Sequence, residues 1–284
     1  MILKSFAKIN SLLYVLGKRP DGYHELFTLM HKIDLFDVIE IKKNSGGLEF
    51  GIDVDELNNQ DNLAVRAARL FFERAGIKPQ VNIEIEKHIP IGGGLGGGSS
   101  NAAYTLRGLN ELFDFPLSKG ELFELASKIG SDVAFFVEHG SAIAEGRGET
   151  ITKIRCHTDG FKVFLAIPNF SVSTALVYKR LRLTKLGGLN KMALTVKEGV
   201  CSMDELKNHL HNDLESVVLE EFDLLKWIKD LLIERVGNGL VSGSGSCIFS
   251  ILGSEVQAEE GLKEQLEERG VLCKTLNFAE EILR

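Results

Sequence analysis

No apolar run in the 284 residues approaches the roughly 18 needed to cross a bilayer. No Lys/Arg run is longer than two, and acidic residues outnumber basic ones by 40 to 33, for a net charge of −7. A nucleic-acid binder would carry a basic block or a basic excess, so neither nucleic acid nor a membrane is an expected partner. Cysteine is scarce, and its four positions (Cys156, Cys201, Cys247, Cys273) form no CxxC pair. This predicts reduced thiols and, with an N-terminus that turns polar after Lys4, a cytoplasmic protein. There is no HExxH, no Cys/His quartet and no GxSxG, so a zinc site and a serine hydrolase are both excluded as readings.

Strand and helix signals alternate. Leu12 to Leu16 reads as a buried strand, and Val81 to Glu86 alternates as a half-buried strand does. Asn62 can cap a helix with Leu63, Ala67, Leu70 and Phe71 on one face. Ala102, Leu106, Leu109 and Phe113 give a second helix, and the capping box at Ser118–Glu121 opens a third. Further on, a strand is expected at 163–167, a capping box at Ser202–Glu205, an apolar-striped helix at 221–233, a strand at 247–252, a charged helix at 255–268 and a last strand at 271–277. Strands and helices are mixed, so the class is α+β. The apolar pattern breaks near 155–161, which places a boundary between residues 1–155 and residues 156–284.

Glycine is in excess, 29 residues, and six fall within 92–98 of the run Pro90-Ile-Gly-Gly-Gly-Leu-Gly-Gly-Gly-Ser-Ser-Asn101. A strand precedes this run and a helix follows it. Glycines let backbone N–H groups close on a ligand, and a helix start adds unpaired donors and a positive dipole end. The combination is a phosphate cradle; the alternative is a flexible turn. A Walker A motif is absent, because Gly98 is followed by Ser99 and not by Lys. Gly92, Gly94 and Gly97 satisfy GxGxxG, but Pro116 and another helix follow where a dinucleotide fold needs a parallel strand. A nucleoside triphosphate is the natural guest.

Lys8 and Asn10 share one face of a strand with Phe6, Leu12 and Tyr14. Either Lys8 snorkels from an edge strand or it has a partner. Asp132 stands before the apolar stretch Val133–Phe136, where it (or Ser131) either caps a helix or pairs with a cation. A Lys–Asp pair would suit phosphoryl transfer, the Asp taking the proton of an attacking hydroxyl and the Lys keeping that Asp ionised. Tyr23 and His24 follow the Pro20-Asp21-Gly22 turn, as surface aromatics or as groups that stack on a base. Ser242–Ser246 is either a tight loop or a second backbone approach to ligand. Lys8, Lys18, Arg19, Lys87 and Arg147 flank these motifs and predict a positive cleft on an acidic body.

With Ala7-Lys8-Ile9-Asn10, the loop 90–101 and Ser242-Gly-Ser-Gly-Ser246 in this order, the sequence resembles the GHMP small-molecule kinases over nearly its whole length. Lys18-Arg-Pro-Asp-Gly-Tyr-His24, Gly130-Ser-Asp132 and Asn212-Asp-Leu-Glu215 narrow the likeness to members acting on a cytidine diphosphate-linked sugar alcohol. The resemblance implies a two-domain α+β fold: an N-terminal ATP-binding and catalytic domain with a left-handed βαβ unit, and a C-terminal α+β substrate domain. It implies ATP-dependent phosphorylation of the 2-hydroxyl of a methylerythritol unit, with Mg2+ whose ligands are unassigned. Lys8 and Asp132 carry over as the catalytic pair. Asn62, Pro90, Gly92, Gly93, Gly94, Leu95, Gly96, Gly97, Gly98, Ser99 and Ser100 carry over as the ATP site. Asn10, Tyr23, His24, Thr174 and Tyr178 carry over to the substrate, with Tyr178 on the second face of the cytosine. Ala134 replaces a family proline, which leaves the backbone after Asp132 less fixed. The expected state is a monomer or weak homodimer. Homoserine kinase and a non-catalytic ATP-binding protein are the competing readings.

Overall fold

The computed structural model describes residues 1–138, 140–182, 188–253 and 259–279. The chain forms two compact units. The first gathers Met1–Ala7, Leu35–Ile89 and Gly96–His139; the second gathers Lys8–Asp34, Pro90–Leu95 and Gly140–Arg284. Two long strands, β1 (Ile2–Lys18) and β2 (His24–Lys43), therefore contribute to both.

In the first unit, β3 (Leu48–Ile52), α1 (Leu63–Ala75) and β4 (Val81–Glu86) form a βαβ crossover, because β3 and β4 pair in parallel with Leu48 opposite Val81. On its other side β4 runs antiparallel to the end of β2, Val38 opposite Glu86. Three helices follow: α2 (Gly97–Leu112), α3 (Lys119–Ile129) and α4 (Val133–Val137). Asn62 caps α1 by accepting from the Ala64 N–H, and Gly76 ends it at φ 66°. The buried face of α1 is Ala64, Ala67, Ala68, Phe71 and Phe72, turned slightly from the expected one, so Leu63 and Leu70 are only half buried. The helices α1 and α2 pack on each other, and both bury alanines, Ala64, Ala67 and Ala68 on α1 and Ala102 and Ala103 on α2. Phe71, fully buried here, contributes about 2–3 kcal/mol of transfer free energy. Both arms of the Ser118–Glu121 capping box form at α3.

In the second unit, β5 (Ser141–Gly146) pairs antiparallel with the start of β2, and β6 (Thr150–Ile154) with β5. Then come β7 (Cys156–His157), β8 (Lys162–Ile167), α5 (Thr174–Arg180), α6 (Lys191–Lys197), β9 (Cys201–Ser202), α7 (Met203–Leu206), β10 (His211–Asn212), α8 (Glu215–Glu221), α9 (Asp223–Val236), β11 (Leu240–Val241), β12 (Ile248–Leu252), α10 (Glu259–Glu267) and β13 (Leu272–Asn277). The antiparallel sheet β11-β12-β8-β13 carries Phe164, Ala166 and Ile248 into a core closed by Leu225, Ile228 and Leu232 of α9 and by Leu262 and Leu266. Strands and helices are mixed as expected. The charged helix is present over Glu259–Glu267; the expected stretch 255–258 lies outside the described residues.

Two expectations fail. The capping box at Ser202–Glu205 does not form: Ser202 belongs to β9, α7 is a single turn, and the Ser202 side chain makes no cap hydrogen bond. The thiols are not all reduced, since Cys156 and Cys201 form a disulfide where β7 and β9 pair in parallel. A sequence separation of 45 hides such a pair from any local-spacing test. The cysteine argument for a reducing compartment falls with it. No described helix is long and apolar enough to cross a membrane. Thiol titration of the denatured, unreduced protein should count two thiols, Cys247 and Cys273, rising to four after reduction; four before reduction would overturn the bond.

Candidate active site

Lys8 and Asn10 are both only 3% exposed, so Lys8 does not snorkel from an edge; β1 lies between β10 and β2. The Lys8 ammonium donates to Asn10 Oδ1 at 2.6 Å, Asn10 Nδ2 donates to Thr28 Oγ1 at 2.9 Å, and the Thr28 hydroxyl donates to the Leu12 carbonyl at 2.7 Å. Ser242–Ser246 closes over this group. A Cβ built on Gly243 would lie 3.4 Å from both Lys8 Nζ and Asn10 Oδ1, at a φ of +55° that side chains rarely adopt. Asn212 holds the loop there, donating to the carbonyls of Val241 (2.8 Å) and Gly243 (2.7 Å). Ser244 Oγ lies 2.7 Å from Thr174 Oγ1.

The glycine run divides at Leu95. Its first part belongs to the second unit and is held there by its carbonyls. Gly92 O accepts from Ser246 N, Gly93 O from Cys247 N, Gly94 O from Ser242 Oγ (3.1 Å) and Leu95 O from Lys8 N (3.0 Å). Added Cβ atoms would overlap Ser171 at Gly92, Cys247 Sγ at Gly93 and the Ser242 carbonyl at Gly94. The packing of the protein against itself already requires glycine at these three positions. The second part, in the first unit, is the start of α2. Gly96 is its N-cap at φ 72° with no side-chain cap, and the first helical bond is Ser100 N to Gly96 O at 2.8 Å. The N–H groups of Gly97, Gly98 and Ser99 come before that bond, so none has an acceptor within the helix. Beside a Cβ at Gly98 there is only Leu63, at 3.7 Å. Ser100 is turned inward, fully buried, donating to the Phe6 carbonyl at 2.6 Å with Ser5 Oγ at 2.7 Å. Its hydroxyl is therefore spent within the fold, and Ser99 is the serine suited to a ligand. Asn62 uses its amide on Leu57 O and Ala64 N.

Asp37 organises the flanks of that helix start. Wholly buried, it accepts from Lys87 Nζ, from the N–H of His88 (2.7 Å) and Ile89 (2.8 Å), and from Asn101 Nδ2 (2.8 Å). Lys87 is thus a buried cation paired with Asp37, its ammonium 3.2 Å from where a Cβ on Gly97 would stand. Arg19 likewise pairs with Asp21 (3.3 Å) and Glu25 (2.6 Å). Each of these two cations is thus offset by carboxylates. Asp132 stands at the N-terminus of α4, half buried, and its side chain makes no cap hydrogen bond. This removes the helix-capping account of that residue.

At the turn, Tyr23 is 52% exposed with the Arg147 guanidinium 5.0 Å from its ring centre. His24 stacks on Tyr178 at 4.9 Å and 27°. Burial, with Lys18 nearby, lowers the His24 pKa, so its ring is neutral at pH 7. Tyr178 thus covers a face of His24 itself, an arrangement not expected from the sequence.

Residues 62–140 match the GHMP kinases N terminal domain and residues 197–270 match the GHMP kinases C terminal domain. The chain belongs to the GHMP kinases. As a member it is an ATP-dependent small-molecule kinase. It is 40% identical over 262 residues to the 4-diphosphocytidyl-2-C-methyl-D-erythritol kinase of Syntrophomonas wolfei, covering 91% of each chain. A solved 4-(cytidine 5'-diphospho)-2C-methyl-D-erythritol kinase is 33% identical with TM-score 0.78, covering 98% of this chain and 99% of the other. Homoserine kinase from Cytophaga hutchinsonii, 16% identical, shares the fold at TM-score 0.71 over 98% of this chain and 96% of that one.

In this GHMP kinase, sequence reasoning missed Asp37, Thr28 and the tether made by Asn212. Asp37 had a legible signal: a lone acid within the apolar strand Leu35-Phe-Asp-Val-Ile39 has to be paired. Asp37→Ala should cost about 3–5 kcal/mol in urea unfolding, because it strands a buried ammonium. Gly94→Ala should cost about 2 kcal/mol or more, from positive φ and overlap. Gly98→Ala should leave stability unchanged or slightly raised, since helical alanine is favoured. Equal losses at Gly94 and Gly98 would refute the division of the glycine run.

Proposed function

We propose that this GHMP kinase transfers the γ-phosphoryl group of ATP to the 2-hydroxyl of 4-diphosphocytidyl-2-C-methyl-D-erythritol, a step of non-mevalonate isoprenoid precursor synthesis. The observation that carries the reading is that one loop meets both candidate groups: Gly243 lies against Lys8 and Asn10, while Ser244 meets Thr174. The identity of about 40% with kinases of that substrate supports it.

In this reading Asp132 takes the proton of the acceptor hydroxyl as its oxygen attacks the γ-phosphorus and ADP departs. Lys8 keeps Asp132 ionised and offsets charge on the transferring group, and Asn10 orients the hydroxyl. The run Pro90–Gly98 with Ser99 receives the triphosphate, and Asn62 lies towards the adenine. His24, neutral, hydrogen-bonds the cytosine, with Tyr23 and Tyr178 as stacking surfaces and Thr174 on the substrate. Residues 1–155 carry the nucleotide and catalytic groups together with Asn10, Tyr23 and His24 for the substrate, and 156–284 add Thr174 and Tyr178. The protein acts as a monomer or weak homodimer.

Among the described residues no cluster of three or more His, Cys, Asp or Glu could cage a metal. Mg2+ needs no such cage, because it binds through one or two protein oxygens and otherwise through phosphates and water. Ser99 is the hydroxyl suited to it, and Mg2+ when bound would neutralise phosphate charge.

Product formation from ATP and the cytidine compound tests the reading. Asp132→Asn should lower kcat by about 10²–10⁴-fold, with the melting temperature nearly unchanged. Near-full kcat in that variant would remove the base. Turnover of homoserine with no competition from cytidine diphosphate compounds would overturn the substrate.

A further inference from the structure

The Lys8–Asn10 pair is useful only with the Asn10 carboxamide facing one way. Its Oδ1 must point at the ammonium; turned by 180° it would present NH2 to NH3+. Nothing within an amide fixes that choice, because its two ends have nearly the same shape. The choice is made by what its two ends meet, the ammonium at one and a second partner at the far end. Here it meets Thr28 Oγ1, at 2.9 Å, and Thr28 is 4% exposed.

The direction of every bond in this chain is forced. The Leu12 carbonyl can only accept, so the Thr28 hydroxyl gives it its single proton, at 2.7 Å. With that proton spent, Thr28 Oγ1 can offer Asn10 only a lone pair. Asn10 must therefore turn its Nδ2 to Thr28 and its Oδ1 to Lys8, which, as an ammonium, can only donate. A backbone carbonyl thus sets, through two side chains, the polarity presented to a buried cation. We infer that Thr28 is a positioning residue of the phosphoryl-transfer site, locking the Asn10 amide so that its oxygen holds Lys8. The assignment rests on the proposed roles of Lys8 and Asn10. Thr28 itself touches neither substrate nor nucleotide in that scheme.

The sequence hides this role. Thr28 lies in β2 within Phe27-Thr-Leu-Met30, where a threonine is an ordinary strand residue.

The test compares Thr28→Val, which keeps the shape and removes the hydroxyl, with Thr28→Ser, which keeps the hydroxyl. Two readouts are taken: steady-state kinetics with ATP and the cytidine substrate, and the side-chain amide signals of Asn10 in protein labelled with [15N]asparagine. Thr28→Val should lose about 10–100-fold in kcat, as small misplacements at such sites do, with both KM values within about twofold. Its Asn10 amide protons should lose their protection from hydrogen exchange. Thr28→Ser should match wild type within about threefold in kcat and keep that protection. Should Thr28→Val not fold, Thr28→Ala is read by the same criteria. Protected Asn10 protons in Thr28→Val, or kcat within twofold of wild type, overturns the inference. So does a Ser variant as poor as the Val variant, which would make Thr28 a packing residue. A wild-type protein without activity on the cytidine substrate sinks the proposed function instead, and the amide signals still decide the lock.

Discussion

The carboxylate of Asp37 receives two backbone N–H groups from His88 and Ile89, an ammonium from Lys87 and an amide from Asn101, with none of its surface left to water. Residues 87–89 lead into the glycine run and Asn101 lies in the helix that leaves it. One buried charge therefore fixes both flanks of a segment whose own residues have little stiffness. Six glycines carry a large conformational entropy, and a loop that wandered would have to be ordered each time a ligand arrived. Burying a carboxylate is costly, and here four donors offset that cost. The ordering is thus done during folding.

The glycine run then separates two needs that look alike in sequence. Gly92, Gly93 and Gly94 are small because Ser171, Cys247 and the Ser242 carbonyl stand where their side chains would be. Their carbonyls are taken by the backbone or side chains of residues 242–247. Gly97 and Gly98 lie in the first turn of α2, where N–H groups lack helical acceptors and where no Ser, Thr, Asp or Asn supplies a cap. An uncapped helix start normally costs about 1 kcal/mol. Leaving it uncapped makes sense where an anion completes it.

Much of this was legible. The alternation of Val81–Glu86, the caps at Asn62 and Ser118 and the glycine-to-helix transition follow from local chemistry, and each stands where the pattern puts it. The sequence was silent wherever a side chain answers to a distant partner. The Cys156–Cys201 bond depends on two strands of two residues each, too short to leave a periodic signal. Lys87 reads as one more basic residue near a phosphate motif until Asp37, 50 positions away, is seen beside it. Ser99 and Ser100 are chemically the same letter. Only the helix phase, which sends Ser100 inward to Phe6, tells them apart.

An acidic protein with net charge −7 must still serve a triphosphate. A broad basic surface would be one device, but carboxylates already offset Lys87 and Arg19. The alternative is a few donors held rigidly in a dry environment, where each is worth more than it would be in water. Lys8 at 3% exposure, oriented by an amide that is itself oriented by a hydroxyl, belongs to that second kind. Phosphoryl transfer asks a protein mainly for position and for charge fixed in advance. In the proposed transfer a buried relay of one cation, one amide and one hydroxyl would supply both, and no excess of basic residues is required for it.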